Sequence, residues 1–118
     1  MKKILVLGAG LVARPAVRYL LDRKNLQVIL ADQEAGRAAA IVGDHANGRA
    51  VALDVNDQPK LTGQVAEADI VVSLLPWTLH PVIARLCLAH GKHLVTASYA
   101  KEEMQAMDRD VRDRGLVF

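Results

Sequence analysis

Residues 1–16 read MKKILVLGAGLVARPA, and the fold turns on how they are taken. Two lysines, an apolar stretch from Ile4 to Ala13 and then small residues outline a secretory leader. The same letters describe a short buried strand, a glycine turn and the start of a helix. The rest of the chain decides between the two.

Beyond this stretch, apolar strand-like runs alternate with helix-like segments almost without a break. The strand candidates are residues 2–8, 26–32, 48–55, 68–76 and 92–99, with GLVF at 115–118 as a sixth, cut short by the chain end. Between them, Leu11, Val12, Pro15, Ala16, Tyr19 and Leu20 form one stripe at helical spacing. Val82, Ile83, Leu86, Cys87 and Ala89 form another. Gln33–Val42 and Lys60–Ala66 are shorter helical segments, and Lys101–Arg114 is a charged outer one with a thin stripe of Met104, Met107 and Val111. Such alternation implies βαβ units with right-handed crossovers. The expected fold is α/β: a Rossmann-like doubly wound parallel sheet of order 3-2-1-4-5-6, helices on both faces, its last strand truncated. Removing residues 1–13 as a leader would delete the central strand of that sheet. Arg14 and Pro15 also follow the supposed cleavage region directly, so the leader reading is set aside.

Composition agrees. A chain of 118 residues suits one domain. It is 52% hydrophobic but only 3% aromatic, so the core must be aliphatic, as in a parallel sheet between helices. No apolar run reaches the roughly 18 residues of a membrane helix, so no membrane partner is expected. Fifteen basic and 13 acidic residues leave a net charge of +2. With no clustered basic face, a nucleic-acid partner is not expected either. The single cysteine, Cys87, permits no internal disulfide, which favours a cytoplasmic address.

Within this frame Gly8-Ala9-Gly10-Leu11-Val12-Ala13 is a G-x-G-x-x-A turn between a strand and a helix. Gly8 turns the chain, Gly10 lets backbone approach a pyrophosphate, and Ala13 packs helix on strand. The helix N-terminus offers free N–H groups to the phosphates. Arg14 either reaches a phosphate or is solvated. Asp32 closes the second strand near the spacing of about 20 residues expected of a ribose-binding acid. There a carboxylate accepts both ribose hydroxyls of NAD and repels the 2′-phosphate of NADP. A helix N-cap is the alternative. Gln33 and Arg37 follow it, and Arg37 can swing toward a 2′-phosphate.

Ligands in such sheets lie beyond the carboxyl ends of the strands. Asp54 and Val55 end the third strand and suit the adenine side, or simply begin a polar loop. The fourth ends in Leu74, Leu75 and Pro76, beside the pyrophosphate and nicotinamide ribose. The fifth ends in Thr96, Ala97, Ser98 and Tyr99, small and hydroxyl-bearing. His80, where a helix should begin, is a general acid–base candidate or a capping and packing group. His90 and His93 flank a helix end and strand start, without partners for a metal. Trp77 covers a cofactor or packs an interface; both readings stay open, as does a homo-oligomer.

The stretch DIVVSLLPWTLHPVIARLCLAHGKHLVTASY (69–99) and the start LVLGAGLVARPAVRYL (5–20) resemble the saccharopine dehydrogenase family, above all its glutamate-forming branch. The most specific pieces are Pro-Trp-Thr-Leu-His-Pro and Thr-Ala-Ser-Tyr. The resemblance implies reversible oxidation of saccharopine, or a like secondary amine joining two amino acids, with hydride passing to NAD or NADP. Hydrolysis of the imine gives glutamate and an aminoadipate semialdehyde. It also implies that Gly8, Gly10, Leu11 and Val12 hold the pyrophosphate, Asp32 the ribose, and Asp54 and Val55 the adenine side. Leu74 to Pro76 would take the nicotinamide side, and Ser98 and Tyr99 both nicotinamide and substrate. Asp32 favours NAD, with NADP as the alternative. No catalytic acid or base is identified.

In the family a second domain grips the substrate carboxylates, and this chain stops before one. The expectation is a nucleotide-binding domain of residues 1–118 that meets an amino-acid substrate through that absent domain and turns over little alone. A carboxynorspermidine dehydrogenase-like domain is a near alternative. A stand-alone NAD(H)-sensing module of the kind that gates transporters is the alternative from another class.

Overall fold

The computed structural model describes residues 2–10, 13–23, 25–75, 79–96 and 115–116. They form β1 (Lys2–Leu7), α1 (Ala13–Leu21), β2 (Leu26–Asp32), α2 (Ala35–Val42), β3 (Gly48–Ala52), α3 (Gln58–Glu67), β4 (Ile70–Ser73), α4 (His80–His90) and β5 (His93–Thr96). The strands are all parallel, in the order β3-β2-β1-β4-β5. The opening stretch is therefore the middle of the sheet. Five strands take the expected order; most of the 115–118 candidate and the charged segment 101–114 lie outside the described residues.

Alternation along the strands divides the core between the two faces. Ile4 and Val6 of β1 with Val28 and Leu30 of β2 pack under α1 and α2 through Ala13, Val17, Leu21, Ala38 and Ile41. Leu5, Leu7, Ile29, Val71 and Leu94 point the other way, against Leu61 and Val65 of α3 and Ile83, Ala84 and Cys87 of α4. Every layer is aliphatic, as the scarcity of aromatics required.

The stripes are corrected in detail. The α1 core face is Ala13, Val17 and Leu21, spaced four apart, whereas Tyr19 is exposed with the Arg23 guanidinium over its ring. In α4, Ile83 and Cys87 are buried, but Val82 and Ala89 face out, and His80, Pro81 and Ala84 take their places inside. Local polar chemistry trims the strands. After β3, Leu53 N–H still donates to the Asp32 carbonyl, then Asp54 Oδ1 accepts from Asn56 N–H and turns the chain. Asp57 then caps α3 by accepting from Lys60 N–H, with Pro59 in the first turn, two start signals that lengthen the Lys60–Ala66 segment at its front. At the other end of the sheet, Asp69 Oδ2 accepts from Lys3 N–H at 2.8 Å.

Candidate functional site

At the carboxyl ends of β1, β2, β3 and β4 lies an open cleft of about 440 Å³. Its floor is the glycine turn. Gly8 continues the ladder by donating to the Ala31 carbonyl at 2.8 Å, then leaves it at φ +101°, a conformation only glycine adopts readily. The turn also passes so close to β4 that a Cβ at Gly8 would stand 3.3 Å from the Leu74 carbonyl oxygen. Gly10 differs: a Cβ there would meet nothing within 4 Å among the described residues, so its face toward the cleft is open. Ala13 is fully buried under the turn, where a larger side chain would part α1 from β1.

Asp32 is 8% exposed at the tip of β2. Its Oδ1 accepts from Ala9 N–H at 2.9 Å, and its Oδ2 accepts from Glu34 N–H at 2.9 Å and from Arg37 Nη2 at 3.1 Å. Burial alone would raise its pKa, but these three donors outweigh it and hold the carboxyl below its ordinary value. The group is ionised at neutral pH. It is not the N-cap of α2, since that position is Glu34 and carries no side-chain cap bond. Arg37, 56% exposed, also reaches Glu34 Oε2 at 3.4 Å.

Gly8, Gly10, Asp32, Gln33, Arg37, Asp54, Val55, Leu74 and Leu75 all line the one cleft. Thr96, at the end of β5, does not line it. Leu11, Val12, Pro76, Ser98 and Tyr99, like Trp77, lie outside the described residues. Arg14 is not among the described lining residues; its exposed Nη2 lies 3.5 Å from the Ala40 carbonyl of α2. Arg37 is thus the only cationic side chain among the described residues lining the cleft.

Ala9, Leu79 and the Ser73 partner of His80 escape sequence reading. Ala9 supplies the N–H that ties the turn to Asp32; the parallel register, which sets Leu7 beside Ala31, is the signal that would have found it. Leu79 joins the wall from the start of α4. His80 is buried, its Nδ1 2.9 Å from Ser73 Oγ, and burial pushes its pKa down. It is not among the described residues lining the cleft, and of the two readings offered for it, its burial and bond to Ser73 agree with packing. Cys87 is equally internal, its thiol pushed up to about 12 by burial. No group of three or more His, Cys, Asp or Glu among the described residues can hold a metal, and none of their helices is long and apolar enough to cross a membrane.

Known proteins match this arrangement along the chain. Residues 4–118 match the family model described as the saccharopine dehydrogenase NADP binding domain. The chain is 38% identical over 117 residues to a saccharopine dehydrogenase (NADP(+), L-glutamate-forming) of Schizosaccharomyces pombe, covering 99% of this chain and 26% of that protein. It is 35% identical to the mitochondrial alpha-aminoadipic semialdehyde synthase of Bos taurus, covering 98% of this chain and 12% of that one. The solved structure of apo saccharopine dehydrogenase (L-Glu forming) from Saccharomyces cerevisiae superposes with a TM-score of 0.88 at 28% identity, over 98% of this chain and 26% of that chain. The chain thus spans 26% or less of these relatives' length. Glycine turn, acid-tipped second strand and sheet order agree with the match along the whole chain: it belongs to the saccharopine dehydrogenase NADP-binding-domain family.

Proposed function

We propose that this chain is the dinucleotide-binding domain of an oxidoreductase that moves a hydride between a nicotinamide cofactor and the C–N bond of a secondary amine joining two amino acids. The observation that carries the reading is the cleft itself, with a glycine turn that has room for a pyrophosphate and an ionised acid beside it. The bound nicotinamide supplies the hydride acceptor. The domain's residues bind and orient: Gly8 and Gly10 at the pyrophosphate, Asp32 and Gln33 at the adenosine ribose, Asp54 and Val55 at the adenine. Leu11 and Val12 at the pyrophosphate, Leu74, Leu75 and Pro76 on the nicotinamide side, and Ser98 and Tyr99 toward the substrate extend the same assignment. The substrate's carboxylates are held by a second domain, as the resemblance implies, with saccharopine as the substrate type. A reducing, cytosolic compartment suits the one buried thiol.

The charges favour NAD over NADP, although NADP stands in the family's description. Asp32 and Asp54 line the cleft, Glu34 stands beside it, and one guanidinium, Arg37, answers them among the described lining residues. A 2′-phosphate brings almost two further negative charges against Asp32, and it must draw Arg37 from two carboxylates it already pairs. Calorimetric titration of NADH and NADPH tests this. NADH is expected to bind more tightly, with Asp32→Ala narrowing the gap. Tighter NADPH binding that disappears in Arg37→Ala would overturn the preference and make Arg37 its determinant.

A further inference from the structure

Ser73 ends β4 and His80 opens α4, and both are buried. They meet through one hydrogen bond, 2.9 Å from Ser73 Oγ to His80 Nδ1. Residue parity turns Ser73, like Val71, toward the α3–α4 face, where the surrounding core is aliphatic. Burial keeps the imidazole neutral at pH 7. Two polar groups in such surroundings stabilise the fold only while paired.

The residues on either side of this bond matter more than the bond's own surroundings. Leu74 and Leu75 follow Ser73 directly, Leu79 immediately precedes His80, and all three line the cleft. Leu74 is also tied to the floor: its N–H donates to the Leu7 carbonyl at 2.9 Å, and its carbonyl is the atom Gly8 backs against. In the sheet order, β1 separates this wall from Asp32 on β2 and Asp54 beyond β3. A dinucleotide with its adenosine at those acids has its other half against the β4 side.

We infer that His80 is a positioning residue: through Ser73 it holds the β4 wall of the cleft against the glycine turn, and so sets affinity for the nicotinamide half of the dinucleotide but not the adenosine half. The inference rests on the cofactor reading above. It gives the histidine of the Pro-Trp-Thr-Leu-His-Pro segment a role in binding, not in proton transfer.

The test compares NADH with AMP, which carries only the adenosine end, on this chain by calorimetry. Thermal melting runs alongside. Ser73→Ala and His80→Ala are expected to weaken NADH about 3- to 10-fold, the worth of one hydrogen bond, and to leave AMP within about twofold. His80→Asn sets an amide atom where Nδ1 stood and should restore NADH binding. His80→Gln sets its amide farther out, near the Nε2 position, and should not. Equal losses of AMP and NADH that follow the melting temperature would overturn the inference, as would unchanged NADH binding in Ser73→Ala. If His80→Ala does not fold, Ser73→Ala and the Asn and Gln pair carry the comparison. A wild-type chain that binds neither ligand would sink the cofactor reading itself, and this inference with it.

Discussion

Asp32 Oδ1 accepts a hydrogen bond from the Ala9 backbone N–H at 2.9 Å, so the acid at the tip of β2 holds the glycine turn at the tip of β1. The same carboxylate gathers Glu34 N–H and the Arg37 guanidinium. It therefore preorganises the cleft before any ligand arrives. A dinucleotide meets a turn already in shape, which spares the ordering entropy that a loose loop would lose on binding.

Asp32→Ala leaves the Ala9 and Glu34 N–H groups without their acceptor. The expected loss is about 1–3 kcal/mol of stability, since buried donors lose a partner. Urea denaturation without ligand measures it, and Asp32→Asn, which keeps one acceptor oxygen, should lose less. An unchanged midpoint in Asp32→Ala would show that the turn stands without the acid.

Gly10→Ala should separate binding from folding. The new methyl meets nothing within 4 Å among the described residues, so the melting temperature should stay near wild type. The methyl does occupy the space assigned to the pyrophosphate, so NADH affinity should fall by at least about tenfold, or roughly 1.4 kcal/mol. Wild-type NADH binding in this variant would remove the pyrophosphate from the turn.

Gly48→Ala should do the reverse. Its Cβ would stand 2.6 Å from Val42 Cγ1 and 2.8 Å from Leu21 Cδ2, both in the buried core between α1, α2 and the sheet. The stiff valine gives little way, and overpacking of this kind costs about 1–3 kcal/mol. Chemical denaturation should show that loss.

The acid limb of stability should fall in two stages. His80 has a folded pKa below its ordinary 6.5, so the unfolded chain binds the extra proton first. Stability declines as pH drops below 6.5 and levels off once the pH passes the lowered folded value. Asp32 and Asp69 carry folded values below 3.8, Asp69 chiefly through the Lys3 N–H. Their contribution is complete above 3.8 and is lost as pH falls through the lowered values. Urea midpoints across this range check both stages, and His80→Asn should remove the first. A first stage that persists in His80→Asn would assign it to another group.

The fold was legible because its signals are local. Apolar runs, the glycine turn and the acid after the second strand each lie within a few residues, and together they imply the strand order. Helix faces were read less well. Tyr19 has an apolar ring and falls on a helical spacing, yet it lies outside under Arg23, because Ala13, Val17 and Leu21 already fill the face against β1 and β2. The cleft's lining was legible wherever a strand end marked it, as at Asp32, Asp54 and Leu74. Thr96 ends β5, one strand beyond those whose described ends line the cleft. The Ser73–His80 bond was hidden for another reason: it joins the end of a strand to the start of a helix, and that closure is set by tertiary packing.

Backbone amide chemical-shift mapping with NADH tests the central claim most directly. The account predicts shifts concentrated at Gly8, Gly10, Asp32, Arg37 and Leu75, with Leu61 and Val65 on the buried face of α3 unmoved. Shifts centred away from the strand ends, or none at millimolar NADH, would contradict it.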